Sequence, residues 1–184
     1  MTGGTAGDRR PTAYDDLPAG LLDELARADL DPRALYDQVL QALAEDLPGD
    51  DLDADATSVA TIPAEARGSG VFAAREAGVV AGLGVAALVF HVVLDDAVTV
   101  ADRVPDGTQV TPGDVVMRVS GPTRGLLTAE RTALNYASHL SGVATTTSHW
   151  VAALEGTRAR VLDTRKTLPT SGRCRSTPSA AAAA

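Results

Sequence analysis

The sequence predicts an α/β protein, an α+β domain followed by the start of a β/α barrel that the chain leaves incomplete. Helical patterns come first, followed by β-branched segments punctuated by glycine and proline. A single, strongly apolar helix interrupts that block. After Pro122, two helical patterns lead into a short apolar segment that ends in polar and cationic residues, which is how a β/α barrel begins. These signals divide the 184 residues into a loose terminus (1–16), the α+β domain (17–122), the barrel start (123–169) and a tail (170–184).

Residues 1–16 are rich in Gly, Thr and Asp and predict a disordered terminus. Of the two helices that follow, the second starts at a good N-cap, Asp31, with Pro32 at the first helical position. Leu35, Val39, Leu40 and Leu43 share its inner face. Gly49 and the carboxylates Asp50, Asp51, Asp53 and Asp55 end the pattern. Their spacing fits no calcium loop, so a solvated acidic turn is expected.

Strands are predicted over Thr57–Ile62, Gly70–Arg75, Val98–Arg103 and Val115–Val119, with a buried helix over Gly84–Leu94. The turns at Pro105-Asp106-Gly107 and Thr111-Pro112-Gly113-Asp114 flank a short strand at Val110. Thr128 is placed as the cap of a helix running to Leu140, and a second helix reaches Leu154 with Trp150 as a packing residue. Arg160–Asp163 reads as a short buried strand.

Composition narrows the function. Net charge is −8 and no basic stripe is visible, which argues against nucleic-acid partners. A small anionic substrate remains compatible, because a few cations in a pocket set the local potential. Cys174 is the single cysteine, so neither an intramolecular disulfide nor a cysteine-based zinc site can form. His91, His139 and His149 lack metal-ligand spacing and are expected on helix faces or in the core. Met1–Arg10 lacks a secretory apolar run, and Val79–Leu94 is too short to span a bilayer. A soluble, cytoplasmic protein with no membrane partner is expected. Lys166 is the only lysine beside fifteen arginines, which hints at a task needing a compact point charge.

The chemistry-bearing segment is Asp163-Thr164-Arg165-Lys166-Thr167, two cations and hydroxyls directly after an apolar run. Arg offers a planar fork to carboxylate or phosphate, and Lys a point charge. The segment does not stand alone. Glu130-Arg131-Thr132-Ala133-Leu134-Asn135 and Leu140-Ser141-Gly142-Val143-Ala144-Thr145 precede it. Earlier still come Ala44-Glu45-Asp46, Gly49-Asp50 and the run Ala74-Arg75-Glu76-Ala77-Gly78-Val79-Val80-Ala81-Gly82-Leu83.

In this order, from Leu21 to Pro169, the motifs resemble those of quinolinate phosphoribosyltransferases, the carboxylating nicotinate-nucleotide pyrophosphorylases. The resemblance implies an amino-terminal α/β sandwich and an open-ring α/β barrel. It implies attack of the quinolinate nitrogen on phosphoribosyl pyrophosphate, departure of pyrophosphate with magnesium (Mg2+), and loss of CO2. The product would be nicotinate mononucleotide for de novo NAD biosynthesis. By resemblance, Arg165 and Lys166 bind quinolinate carboxylates beside Thr164. Arg131 would reach into the partner's site in a homodimer. The metal ligands and phosphate-binding cations are expected beyond this chain.

The tail departs from the family pattern after Pro169, where a Leu-Arg-x-Leu-x-Lys-Tyr-Ala-Val helix is expected. One legal encoding of Gly172–Ala183, read two bases later, gives Ala-Leu-Gln-Lys-Tyr-Ala-Val-Arg-Cys-Gly-Gly. A one-base deletion near Pro169 is therefore expected, with residues 170–184 out of frame and the 184-residue product inactive. Two rivals remain open: a related phosphoribosyltransferase using another base, and a non-catalytic dimerisation fragment that still presents Arg131. A lipoyl- or biotinyl-carrier hairpin around Val110 is set aside, because no lysine other than Lys166 exists for attachment.

Overall fold

The computed structural model describes residues 9–47 and 51–162. In chain order the elements are α1 (Ala19–Arg27), α2 (Pro32–Asp46), α3 (Ala56–Thr61), β1 (Arg67–Ala73), β2 (Gly78–Val79), α4 (Leu83–Leu94), β3 (Thr99–Ala101), β4 (Gln109–Val110), β5 (Val115–Pro122) and α5 (Thr123–Ala153). β5 is the middle strand of an antiparallel sheet ordered β1-β5-β3, and β2 and β4 form a separate antiparallel pair. The described residues form a mixed helix-and-strand fold with no closed barrel.

The core is built around α4. Its sequence is apolar on every side, so it can only be stable enclosed by other elements. Every residue from Leu83 to Leu94 except His91 is buried. α5 packs along it, α1 and α2 cover another side, and Phe90 meets Phe72 of β1 edge to face at 5.9 Å. Each buried Leu, Val or Phe side chain here contributes about 1.5–3 kcal/mol relative to exposure. His91 is half-buried, and burial pulls its imidazole below the ordinary histidine range. His139 and His149 lie on α5, His149 exposed.

α2 begins as its sequence signals: the Asp31 carboxylate accepts from the Arg33 and Ala34 N–H groups, both at 3.1 Å. α4 is capped from a distance. Asp106, in the predicted Pro-Asp-Gly turn, accepts from Gly82 N–H at 2.7 Å and Leu83 N–H at 3.3 Å. The turn was legible in the sequence, but its second role as a helix cap was not.

The structure corrects five sequence expectations. Residues 9–16 are not loose: Thr12 N–H donates to Val92 O at 2.8 Å, and Tyr36 Oη donates to Thr12 O at 2.9 Å. Thr57–Ile62 is not a strand, because Asp55 caps a helix there, accepting from Ser58 N–H at 3.1 Å and Ser58 Oγ at 2.6 Å. That local cap overrides the β-branched composition. The two helices expected after Pro122 are a single 31-residue helix, and Thr128 donates back to Arg124 O at 2.9 Å instead of capping. Trp150 does not pack; it is 64% exposed, and no residue of α5 beyond Ala144 is buried. Arg160–Leu162 form no strand, and Leu162 is 80% exposed. A barrel strand needs neighbouring strands to pair with, and none among the described residues lies beside it.

Candidate active site

α5 carries the one sequence-predicted site residue among those described, and hydroxyl and glycine contacts fix this helix against the β2 segment. Ser141 and Thr145, one turn apart on α5, face the backbone of the β2 segment. Val79 N–H donates to Thr145 Oγ1 at 2.9 Å, and Ala81 N–H donates to Ser141 Oγ at 3.0 Å. Ser141 Oγ donates in turn to Ala81 O at 3.2 Å. The two hydroxyls therefore stand in for a neighbouring strand along this edge. Gly78 and Gly82 permit the approach: a Cβ on Gly78 would lie 2.5 Å from Thr145 Oγ1. Two of the sequence motifs, the Gly78–Gly82 run and the Leu140–Thr145 run, are thus the two sides of one joint.

Replacing Thr145 with Val is expected to leave the buried Val79 N–H without an acceptor and to cost about 1–3 kcal/mol. Thr146→Val makes the comparison, because Thr146 is exposed and bonds only back to Gly142 O of its own helix. It should change stability by no more than about 0.5 kcal/mol. Urea midpoints of the two variants separate the joint from a general effect of losing a hydroxyl. Equal midpoints would remove the joint's energetic importance.

Near its start, α5 is tied to α3 by Arg124, which donates to Ile62 O at 2.8 Å and Val59 O at 3.1 Å. Seven residues on, Arg131 projects from the same helix toward the end of α2. Its Nη1 donates to Asp46 Oδ1 at 2.8 Å, with the Arg131 side chain 72% exposed. Asp55 lies near enough to feel the guanidinium. Its carboxyl sits below the usual range, chiefly because Ser58 Oγ donates to it, with Arg131 adding a smaller attraction.

Of the grooves beside α5, two run between it and the strands, and Arg131 lines neither. One, of about 200 Å3, lies between β1 and α5 with Phe72, Phe90, Leu126 and Glu130 in its wall. The other, of about 570 Å3, lies between residues 72–80 and Ser138, Ser141 and Thr145 of α5. Thr164, Arg165 and Lys166 lie outside the described residues. Sequence reading named Arg131 as a site residue and quoted Asp46, Ser141 and Thr145 within motifs, without the ion pair of the first or the backbone role of the other two. The spacing of two hydroxyls four apart on a helix was the available signal.

Residues 55–141 match the family model described as quinolinate phosphoribosyl transferase, N-terminal domain. The chain belongs to this family. It is 45% identical over 143 residues to the nicotinate-nucleotide pyrophosphorylase [carboxylating] of Mycobacterium leprae, covering 77% of this chain and 49% of the relative. The probable enzyme of the same name from Synechocystis is 38% identical over 141 residues, covering 76% and 46%. In structure, the chain is similar to NadC from Streptococcus pyogenes, with a TM-score of 0.71 at 36% identity over 82% of this chain and 54% of that one. The nicotinate-nucleotide pyrophosphorylase of Francisella tularensis gives a TM-score of 0.74 at 26% identity, over 82% and 52%. The chain spans about half the length of the curated relatives it matches. The Gly78–Gly82 run lies within the matched region, and the Leu140–Thr145 run begins at its end.

Proposed function

We propose that this chain is the amino-terminal half of an enzyme that transfers ribose 5-phosphate from phosphoribosyl pyrophosphate to quinolinate in de novo NAD synthesis. The ring nitrogen forms a bond to the anomeric carbon while the carbon–oxygen bond to pyrophosphate breaks. Pyrophosphate leaves with the electron pair. A ring carboxylate then departs as CO2, its electron pair is held beside the positively charged nitrogen, and a proton replaces it. Nicotinate mononucleotide results.

The observation that carries this reading is the placement of Arg131. It is held at one nitrogen by Asp46, is largely exposed, and lines neither of the two grooves between α5 and the strands. An arginine so presented suits an anionic substrate bound on another surface, and a homodimer with shared sites supplies that surface. Arg165 and Lys166, with Thr164 beside them, would bind the quinolinate carboxylates from the other side. Among the described residues no group of three or more His, Cys, Asp or Glu converges as a metal site. These residues therefore do not fit the Mg2+ that the chemistry calls for, and no step here is routed through it. No helix among the described residues is long and apolar enough to cross a membrane.

The test uses a full-length chimera, hereafter the complete polypeptide, in which residues 1–169 are continued by the carboxyl-terminal half of the Mycobacterium leprae relative, of which this chain covers 49%. With quinolinate, phosphoribosyl pyrophosphate and magnesium it should release pyrophosphate and CO2 in equal amounts. Arg131→Ala should lower kcat/KM about a hundredfold or more, as losing one charge-stabilising donor does. Pyrophosphate release with another pyridine base, and none with quinolinate, would replace this reading with the related-base alternative.

A further inference from the structure

We infer that Asp46 is a positioning residue that aims Arg131 at the substrate; this rests on the proposed role of Arg131. Asp46 is the last residue of α2, where the exposed carbonyls already carry negative partial charge and a cation would be favoured. The last turn of α2 instead holds Glu45 and Asp46 and no base. The acid is therefore poorly placed for its own helix, and its compensation comes from Arg131, 85 residues away in sequence.

The contact geometry indicates what the pairing achieves. A guanidinium has five N–H donors in a rigid fork. Asp46 takes only Nη1, and among the described residues no other side chain bonds Arg131. The edge formed by Nε and Nη2 stays open, and that edge can grip a carboxylate or phosphate with two parallel hydrogen bonds. A free, exposed arginine samples many rotamers, and fixing one beforehand lowers the entropy lost when substrate binds. Asp46 also sits within the Ala44-Glu45-Asp46 run that forms part of the sequence resemblance. The Arg131 side chain is 72% exposed and that of Asp46 34%, so solvent screens the pair and its loss should barely change folding stability. That separation makes a positioning role measurable.

The experiment compares Asp46→Asn, Asp46→Glu, Arg131→Ala and the Asp46→Asn/Arg131→Ala double variant in the complete polypeptide. Asp46→Asn should keep its melting temperature while kcat/KM falls about ten- to a hundredfold, the range that mispositioning by an ångström produces. Asp46→Glu, which keeps the charge, should recover part of the loss. In the Arg131→Ala background, Asp46→Asn should have no further effect, because the group it aims is gone. Wild-type activity in Asp46→Asn, or a loss that multiplies with that of Arg131→Ala, would overturn the inference while leaving the role of Arg131 intact. Full activity in Arg131→Ala would instead overturn the proposed role of Arg131, and this inference with it.

Discussion

The 184-residue chain, assayed alone with quinolinate, phosphoribosyl pyrophosphate and magnesium, is expected to show no turnover. Added to a complete polypeptide carrying Arg131→Ala, the same chain is expected to restore it. Both results follow from where the charges lie. The one candidate substrate-binding cation among the described residues, Arg131, is exposed, held at a single nitrogen by Asp46, and lines neither of the two grooves between α5 and the strands. A dianionic pyridine dicarboxylate needs several converging cations to offset its desolvation, and one solvated guanidinium does not supply them. The chain spans about half the length of its curated relatives. In a hybrid dimer the complete subunit would contribute its barrel, and the short chain would contribute Arg131 across the interface. Each hybrid would then hold one working site, and activity should rise with added chain until the variant is saturated. The short chain carrying Arg131→Ala should restore nothing. Turnover by the short chain alone would show that 184 residues suffice for a site. Hybrid dimers that form but stay inactive would show that Arg131 does not act across subunits.

What the sequence made legible was local. Asp31 followed by Pro32 marks the start of α2, because a carboxylate cap and a proline at the first helical position are short-range signals. α4 and the strands around Phe72 and Met117 declare themselves by apolar run and alternation. The failures arose where a contact distant in sequence, or a single cap, decided the outcome. α3 is helical because Asp55 seizes Ser58, against the β-branched run that follows. α5 passes through Ser141-Gly142 unbroken because Ser141 and Thr145 must lie on one helical face to reach Ala81 and Val79. Arg160–Leu162 has a strand's composition, but a strand's hydrogen bonds need partners that no local pattern provides. The site divides in the same way. Arg131 is visible as part of a motif, whereas its ion pair with Asp46 joins segments whose proximity only the fold creates.

Gly82→Ala is expected to be among the most damaging single-methyl additions in the domain, lowering stability by about 2–5 kcal/mol, the sum of two separate effects. Gly82 has φ of +85°, a left-handed conformation that costs a residue with a Cβ about 1–2 kcal/mol. The added Cβ would also lie 2.5 Å from Leu140 Cδ1 and 3.1 Å from Leu140 Cβ. The side-chain tip could turn aside, but Leu140 is buried and its Cβ is fixed to the backbone of α5, so relief requires the helix to shift. Overpacking of that kind typically costs about 1–3 kcal/mol. A shift of α5 would also loosen the hydroxyl joint at Ser141 and the Asp106 cap on Gly82 N–H. Gly142→Ala gives the opposite expectation. It lies in the same helix, and a methyl there would meet nothing within 4 Å, so it should stabilise by about 0.5–1 kcal/mol through helix propensity alone. Urea unfolding of the chain with each substitution distinguishes the cases by sign. Combining Gly82→Ala with Leu140→Ala then isolates the contact with the tip of the Leu140 side chain. The double variant should destabilise less than the sum of the singles, with the left-handed strain and the 3.1 Å approach to the Cβ of residue 140 remaining in the Gly82 penalty. Strict additivity would mean that the methyl never meets the Leu140 side chain beyond its Cβ, and that backbone strain and the approach of α5 itself make glycine necessary at this turn.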